Sequence, residues 1–157
     1  MFMRFRFLTI PLLLPIIAAC GADTTEPTVL IDCSTLATTL AASAATLTKT
    51  PSGLQYRDVT VGTGSTLAAG QTVGVRYAGC LTSGSRFDSN EPPKSIFSFR
   101  LGSGLVIKGW DEGLVGMKVG GRRQLVIPAS LGYGTQANGP IPANSVLVFT
   151  VDAVSAQ

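Results

Sequence analysis

Histidine is missing from this chain. That removes Ser-His-Asp and Cys-His catalysis and the commonest metal ligand. Cysteine is scarce: Cys20, Cys33 and Cys80 are the only three, too few to close a tetrahedral zinc site. Neither a metal nor a cofactor is expected. Charge is scarce as well, at 13% of residues against an apolar fraction of 45%, which excludes a disordered polyelectrolyte. The 157 residues suffice for one domain with a core of its own. The 12 Lys and Arg include Arg4 and Arg6 of an apparent leader; without those two, 10 cations face 9 Asp and Glu, a net charge near +1. No basic cluster marks a nucleic-acid face. The one dibasic pair, Arg122-Arg123, reads as a solvated turn edge.

The first residues read as an export signal. Arg4 and Arg6 make a positive start, and residues 7–17 are an apolar run broken by Pro11 and Pro15. That run is too short to span a bilayer as a stable helix. The IAAC at 17–20 resembles a bacterial lipobox, in which Cys20 is the lipidated residue; the plainer alternative is an ordinary secretory signal with a coincidental cysteine. The lipobox reading makes residues 1–19 a signal peptide and 20–50 a lipidated tether and extension. Acyl chains on Cys20 would hold the protein to a bilayer at ~0.8 kcal/mol per buried CH₂. Gly21 is compatible with the outer membrane, so the expected location is the bacterial envelope, at the outer membrane facing the periplasm. Export also bears on Cys33 and Cys80, which are either bridged, as thiols outside the cytoplasm often are, or two buried free thiols.

Within the extension, residues 34–47 allow a weakly amphipathic helix, with Leu36, Leu40 and Leu47 on one face and Asp32 or Ser34 as a cap. From residue 51 the pattern changes to short strands, predicted at 54–59, 71–78, 95–101, 121–127 and 145–154. In the second of these, Val73, Val75 and Tyr77 share a face; in the last, Leu147, Phe149 and Val151 do. Glycine-rich turns separate the strands, and one short helix is expected at about 108–115.

The only tryptophan, Trp110, lies in VIKGWDEGLVGMKVGGRRQLVIPASLGYG, residues 106–134. This stretch resembles the FKBP-type peptidyl-prolyl cis-trans isomerases, with VI-x-GW, an M-x-x-G turn at 117–120 and Y-G in the same order as in the family. VRYAGCLTSGSRFDSN (75–90) is similar to the family's tyrosine strand and Phe-Asp loop, and GPIPANSVLVFTVDAV (139–154) to its flap end and last strand. The resemblance spans residues 51–154. It implies an α+β fold, an antiparallel sheet of five to six strands curled around one short central helix, in a domain of residues 51–157.

The implied activity is peptidyl-prolyl cis-trans isomerisation of proline-containing unfolded or folding polypeptides by a monomer. The alternative is a client-binding chaperone module that uses the same apolar pocket with little turnover. Carried over one residue at a time, Trp110 is the floor beneath the proline ring. The Ile107 N–H and the Tyr133 hydroxyl each hold a substrate carbonyl, and Asp88 is a buried carboxylate with an electrostatic role. Tyr77, Phe97, Val106 and Phe149 are walls, Phe87 lies at the rim, and Ile141 is a flap residue over the pocket. Phe99 is core. The plainer reading of each of these is core packing or an ordinary turn; only their joint order argues otherwise. Three positions depart from the family pattern. Ala137 replaces a flap histidine, Pro140 an apolar branched residue, and Pro93 the basic partner of the aspartate, which leaves Lys94 as a candidate substitute.

Overall fold

The structure, a computed structural model, describes Cys33 and residues 46–157. The signal peptide, Cys20 and the candidate helix at 34–47, apart from its last two residues, lie outside the described residues.

Seven strands form one antiparallel sheet: β1 (Thr48–Lys49), β2 (Gln55–Thr60), β3 (Thr72–Leu81), β4 (Arg86–Ser89), β5 (Phe97–Arg100), β6 (Arg122–Ile127) and β7 (Leu147–Ala156). Their spatial order is β1-β2-β6-β7-β3-β4, and β5 also pairs with β3. All five predicted strands are present. The two additional ones, β1 and β4, are short and lack an apolar alternation. The single helix of the described domain, α1 (Lys108–Gly113), is shorter than the expected 108–115. Leu114 caps it, and Gly116 then takes φ +80, a left-handed turn that glycine enters without steric cost.

Alternation on the two longest strands decides which side is core. Val73 and Val75 of β3 and Leu147, Phe149, Val151 and Ala153 of β7 point to one face, where they meet Leu125 and Ile127 of β6. Trp110, Leu114 and Met117 press into this layer from α1 and the turn after it. Each such side chain contributes ~1.5–3 kcal/mol by leaving water, and together they hold the helix against the concave face. Gly109 makes the approach close, because a Cβ there would overlap the Ile127 side chain. The opposite face carries a small separate cluster of Cys33, Cys80 and Val148. Of the two alternatives for the cysteines, the structure has the disulfide Cys33–Cys80, with Cα atoms 5.7 Å apart.

Arg122-Arg123 is not a solvated turn edge. Arg122 forms a bidentate pair with Asp152 across β6 and β7, at 2.6 and 2.8 Å. Arg123 is only 5% exposed. Its Nε and Nη2 donate to Asp58 at 2.7 and 2.9 Å, and its Nη1 donates to the carbonyls of Gly113 and Val115 at 2.9 and 3.2 Å. Its guanidinium also stacks 4.7 Å from the Tyr56 ring centroid. One side chain thus joins β2, β6 and the C-terminal end of α1.

Candidate active site

The concave face of the sheet leaves a cavity of about 380 Å³, lined by Tyr77, Asp88, Phe97, Leu105, Val106, Ile107, Trp110, Tyr133 and Phe149. Trp110 is its floor in the literal sense. The indole is 4% exposed and is gripped by rings on several sides. Tyr77 meets it edge-on at 4.9 Å, Phe149 at 5.2 Å and Phe97 at 6.2 Å, while Phe99 backs it at 5.8 Å. Such pairs contribute ~0.5–1.5 kcal/mol each beyond the area they bury, enough to hold the ring in one orientation. The indole Nε1 is buried and has no partner among the described residues.

The wall beside the floor comes from the segment just before α1, and a side chain of α1 shapes it. The Asp111 carboxylate accepts the backbone N–H groups of Gly102 and Gly104, at 2.7 and 2.8 Å. Both glycines have left-handed φ, +77 and +73, so the loop turns tightly enough for both N–H groups to reach one carboxylate. The turn delivers Leu105, Val106 and Ile107 to the cavity. Ile107 is the residue before α1, in extended conformation with φ −61 and ψ 147. Its carbonyl accepts the Trp110 N–H, and its own N–H makes no hydrogen bond among the described residues.

The polar groups gather on the other side. The Tyr77 hydroxyl donates to Asp88 Oδ2 at 2.7 Å, and the Ser89 backbone N–H donates to Asp88 Oδ1 at 2.8 Å. Burial, then the bond to Asp88, pushes the Tyr77 phenol pKa well above its ordinary value. Burial, then the Asp88 charge, raises that of Tyr133 as well. Both phenols therefore remain protonated donors at neutral pH. Tyr133 sits in the loop after a 3-10 turn, Ala129–Leu131, and is 38% exposed at the mouth. Among the described residues no group of three or more metal-ligating side chains converges.

Eight of the ten residues singled out from the sequence line this one cavity. Phe87 and Ile141 do not. Phe87 packs edge-on against Phe149 at 5.4 Å, outside the cavity, and Gly79 fits beneath both rings, since a Cβ there would lie 2.7 and 2.8 Å from their carbons. Ile141 is 4% exposed and belongs to the core cluster; a tight reciprocal pair of backbone bonds with Asn138 turns it inward. Asp88 was expected to be buried and is exposed. Lys94 does not pair with it, because its Nζ donates to the Ser89 carbonyl. Leu105 is a lining residue the sequence reading missed: it is 72% exposed and follows a glycine turn, so no periodicity marks it.

The family model described as FKBP-type peptidyl-prolyl cis-trans isomerase matches residues 64–154, more than half of the chain. The chain belongs to this family. FK506-binding protein 4 of Gibberella zeae is 52% identical over 107 residues, covering 68% of this chain and 21% of that protein. Among solved structures, the crystal structure of AtFKBP13 superposes with a TM-score of 0.67 at 36% identity, covering 71% of this chain and 98% of that one. FkpA from Escherichia coli gives a TM-score of 0.67 at 36% identity, covering 80% of this chain and 60% of that one. The chain spans about a fifth to three-tenths of the length of the curated FKBP-type relatives it matches. These relatives also correct the expected location. FK506-binding proteins about half identical to this FKBP-type chain over 106–110 matched residues come from fungi and Dictyostelium discoideum, whereas the E. coli protein is 36% identical. A bacterial outer-membrane lipoprotein facing the periplasm is therefore not the reading these comparisons support.

Proposed function

We propose that residues 51–157 act as a peptidyl-prolyl cis-trans isomerase on X-Pro bonds of unfolded or folding polypeptides. The observation that carries this reading is an aromatic cavity over Trp110, bounded by Tyr133 and by the Ile107 N–H, which makes no hydrogen bond among the described residues. Rotation about an X-Pro amide is opposed by a barrier of ~18–20 kcal/mol, because resonance favours the planar, polar form. Lowering it requires no proton carrier and no nucleophile, which suits a chain without histidine. A proline ring laid on the indole leaves water, and its amide loses solvation that favours the planar form more than the twisted one. The Ile107 N–H and the Tyr133 hydroxyl hold flanking carbonyls while the amide turns. Asp88 orients Tyr77 and sets the local potential without exchanging a proton.

The test is an isomerisation assay on X-Pro peptides followed by NMR exchange, comparing wild type with Trp110→Leu. Leucine keeps an apolar contact in the core and removes the flat floor, so turnover falls at least tenfold in a protein that is still folded by circular dichroism. Peptide binding by wild type without turnover would instead support the client-binding module.

A further inference from the structure

We propose that Asp111 is a positioning residue for this pocket: its carboxylate fixes the backbone of residues 102–106, and through it the cavity wall and the direction of the Ile107 N–H. The inference rests on the isomerase reading and adds to it a residue that does not line the cavity. Leu105, Val106 and Ile107 are three of the nine lining residues, and Asp111 is not among them. The chain is tied by its backbone on both sides of this segment. The Leu101 N–H donates to the Gln71 carbonyl at 2.9 Å, and the Leu101 carbonyl accepts the Gly70 N–H at 2.8 Å. The Ile107 carbonyl accepts the Trp110 N–H at 2.9 Å. Between these ties, residues 102–106 make no backbone-to-backbone hydrogen bond among the described residues.

Asp111 fills that gap. Its Oδ1 accepts the Gly102 N–H at 2.7 Å and its Oδ2 the Gly104 N–H at 2.8 Å. The other side-chain bond of the segment, from the Ser103 hydroxyl to the Arg100 carbonyl at 2.6 Å, is local and does not reach α1. One carboxylate thus references the loop to the helix that carries Trp110, so that floor and wall share a frame. Val106 and Ile107 also rest against the core, whereas Leu105 is exposed and gains little hold from packing. A segment with so few backbone bonds opens locally at low cost. Without the carboxylate, the two packed side chains stay near their places, but the peptide units around them are free to turn. The neighbouring Glu112 is a control on the same helix: its carboxylate accepts the Ser52 hydroxyl and makes no bond to the loop.

Misplacing a positioned group by about 1 Å can cost about 100-fold in rate; the core contacts of Val106 and Ile107 limit the shift, so kcat/KM of the full chain should fall about tenfold in Asp111→Ala and less than about twofold in Glu112→Ala. Backbone amide NMR supplies a readout that lost stability alone does not move. In Asp111→Ala the Gly102 and Gly104 N–H signals should shift and exchange faster with solvent, and the Ile107 signal should broaden, while the amides of β6 and β7 keep their protection. Asp111→Asn keeps the shape and one of the two acceptor oxygens, and should lose activity several-fold. If Asp111→Ala fails to fold, Asp111→Asn decides by the same signals and rates. An Asp111→Ala protein with wild-type kcat/KM, or an equal loss in Glu112→Ala, overturns the proposal. Binding of blocked Ala-Leu-Pro-Phe, read by fluorescence of the sole tryptophan, separates this proposal from the isomerase reading. No turnover by wild type, with a peptide affinity that falls about tenfold in Asp111→Ala, refutes the isomerase reading and leaves the positioning role standing. Wild-type turnover that Asp111→Ala leaves unchanged does the reverse, and a wild type that neither binds nor turns over the peptide sinks both.

Discussion

Replacing Arg123 by methionine tests how the helix is held to the sheet. Methionine keeps most of the apolar stem and removes the guanidinium. Three groups then lose a partner: the Asp58 carboxylate and the carbonyls of Gly113 and Val115. Breaking a fully buried ion pair costs ~3–5 kcal/mol. The Asp58 side chain is 33% exposed, so water recovers part of that loss. The Gly113 carbonyl has no such access, and an unmet buried acceptor costs ~1–3 kcal/mol. Together these give a loss of about 3 kcal/mol, a fall in Tm of roughly 12–20 °C for a domain of this size. Urea unfolding monitored by Trp110 fluorescence measures it, with an unchanged m-value expected. In an Asp58→Ala background the same substitution should cost less but not nothing, because the helix-end carbonyls still lose their donor. A loss below about 1 kcal/mol, or full additivity of the two substitutions, refutes the assignment of Arg123 as the joint between α1 and the sheet.

Tyr133→Phe keeps the ring and deletes one donor at the mouth; a net hydrogen bond is worth ~0.5–1.5 kcal/mol, so kcat/KM should fall by about tenfold at most, and a larger loss would mean the ring itself had moved. With no histidine to titrate, kcat/KM should be flat between about pH 6 and 8, and a steep slope there would contradict a mechanism without proton transfer. Tyr77 carries a raised pKa, so above its ordinary value of 10.0 the folded state binds more protons than the unfolded state. Its contribution to stability is therefore complete below pH 10.0 and lost as pH rises beyond it, and Tyr77→Phe should flatten the alkaline fall seen in denaturant titrations of the wild type.

What could be read from the sequence was whatever has a period or a motif. Alternation in Val73, Val75 and Tyr77 marked β3 because both valines are fully buried and the period of two has one solution. The family resemblance makes the segment around Phe87 and Asp88 a loop, and Arg86–Ser89 carries no apolar alternation of its own; the strand character of β4 comes from pairing with β3, Gly79 opposite Asp88 and Ala78 opposite Ser89. The family motif placed eight residues around the cavity, but it could not say which way Phe87 and Ile141 face. That choice is made by the Gly79 notch, which is tertiary, and by the Asn138–Ile141 turn, which is local but carries no apolar period. Arg123 was misread for the same reason. A dibasic pair looks solvated until the strand's alternation sends one member inward, where Asp58 and two carbonyls await it. Leu105 carried no signal at all, since an exposed leucine beside glycines is ordinary in any surface loop.

The central position of β7 has a consequence for the way the protein is made. Its neighbours in the sheet are β6 and β3, and it supplies Phe149 beneath the pocket. Leu105, Val106, Ile107 and Trp110 are near neighbours along the chain and can meet through local contacts alone. Their partners Tyr77 and Asp88 lie far upstream and reach them across the sheet only once β7 is in place. On a ribosome, chain elongation delivers β7 after every other strand, so the nascent domain has no shared neighbour for β3 and β6 until residue 156 has emerged. Until then the apolar faces of both strands are open to other chains. Folding must wait for a pairing of high sequence separation, the slow class of event. A domain built in this order completes the cavity over Trp110 in a single late step.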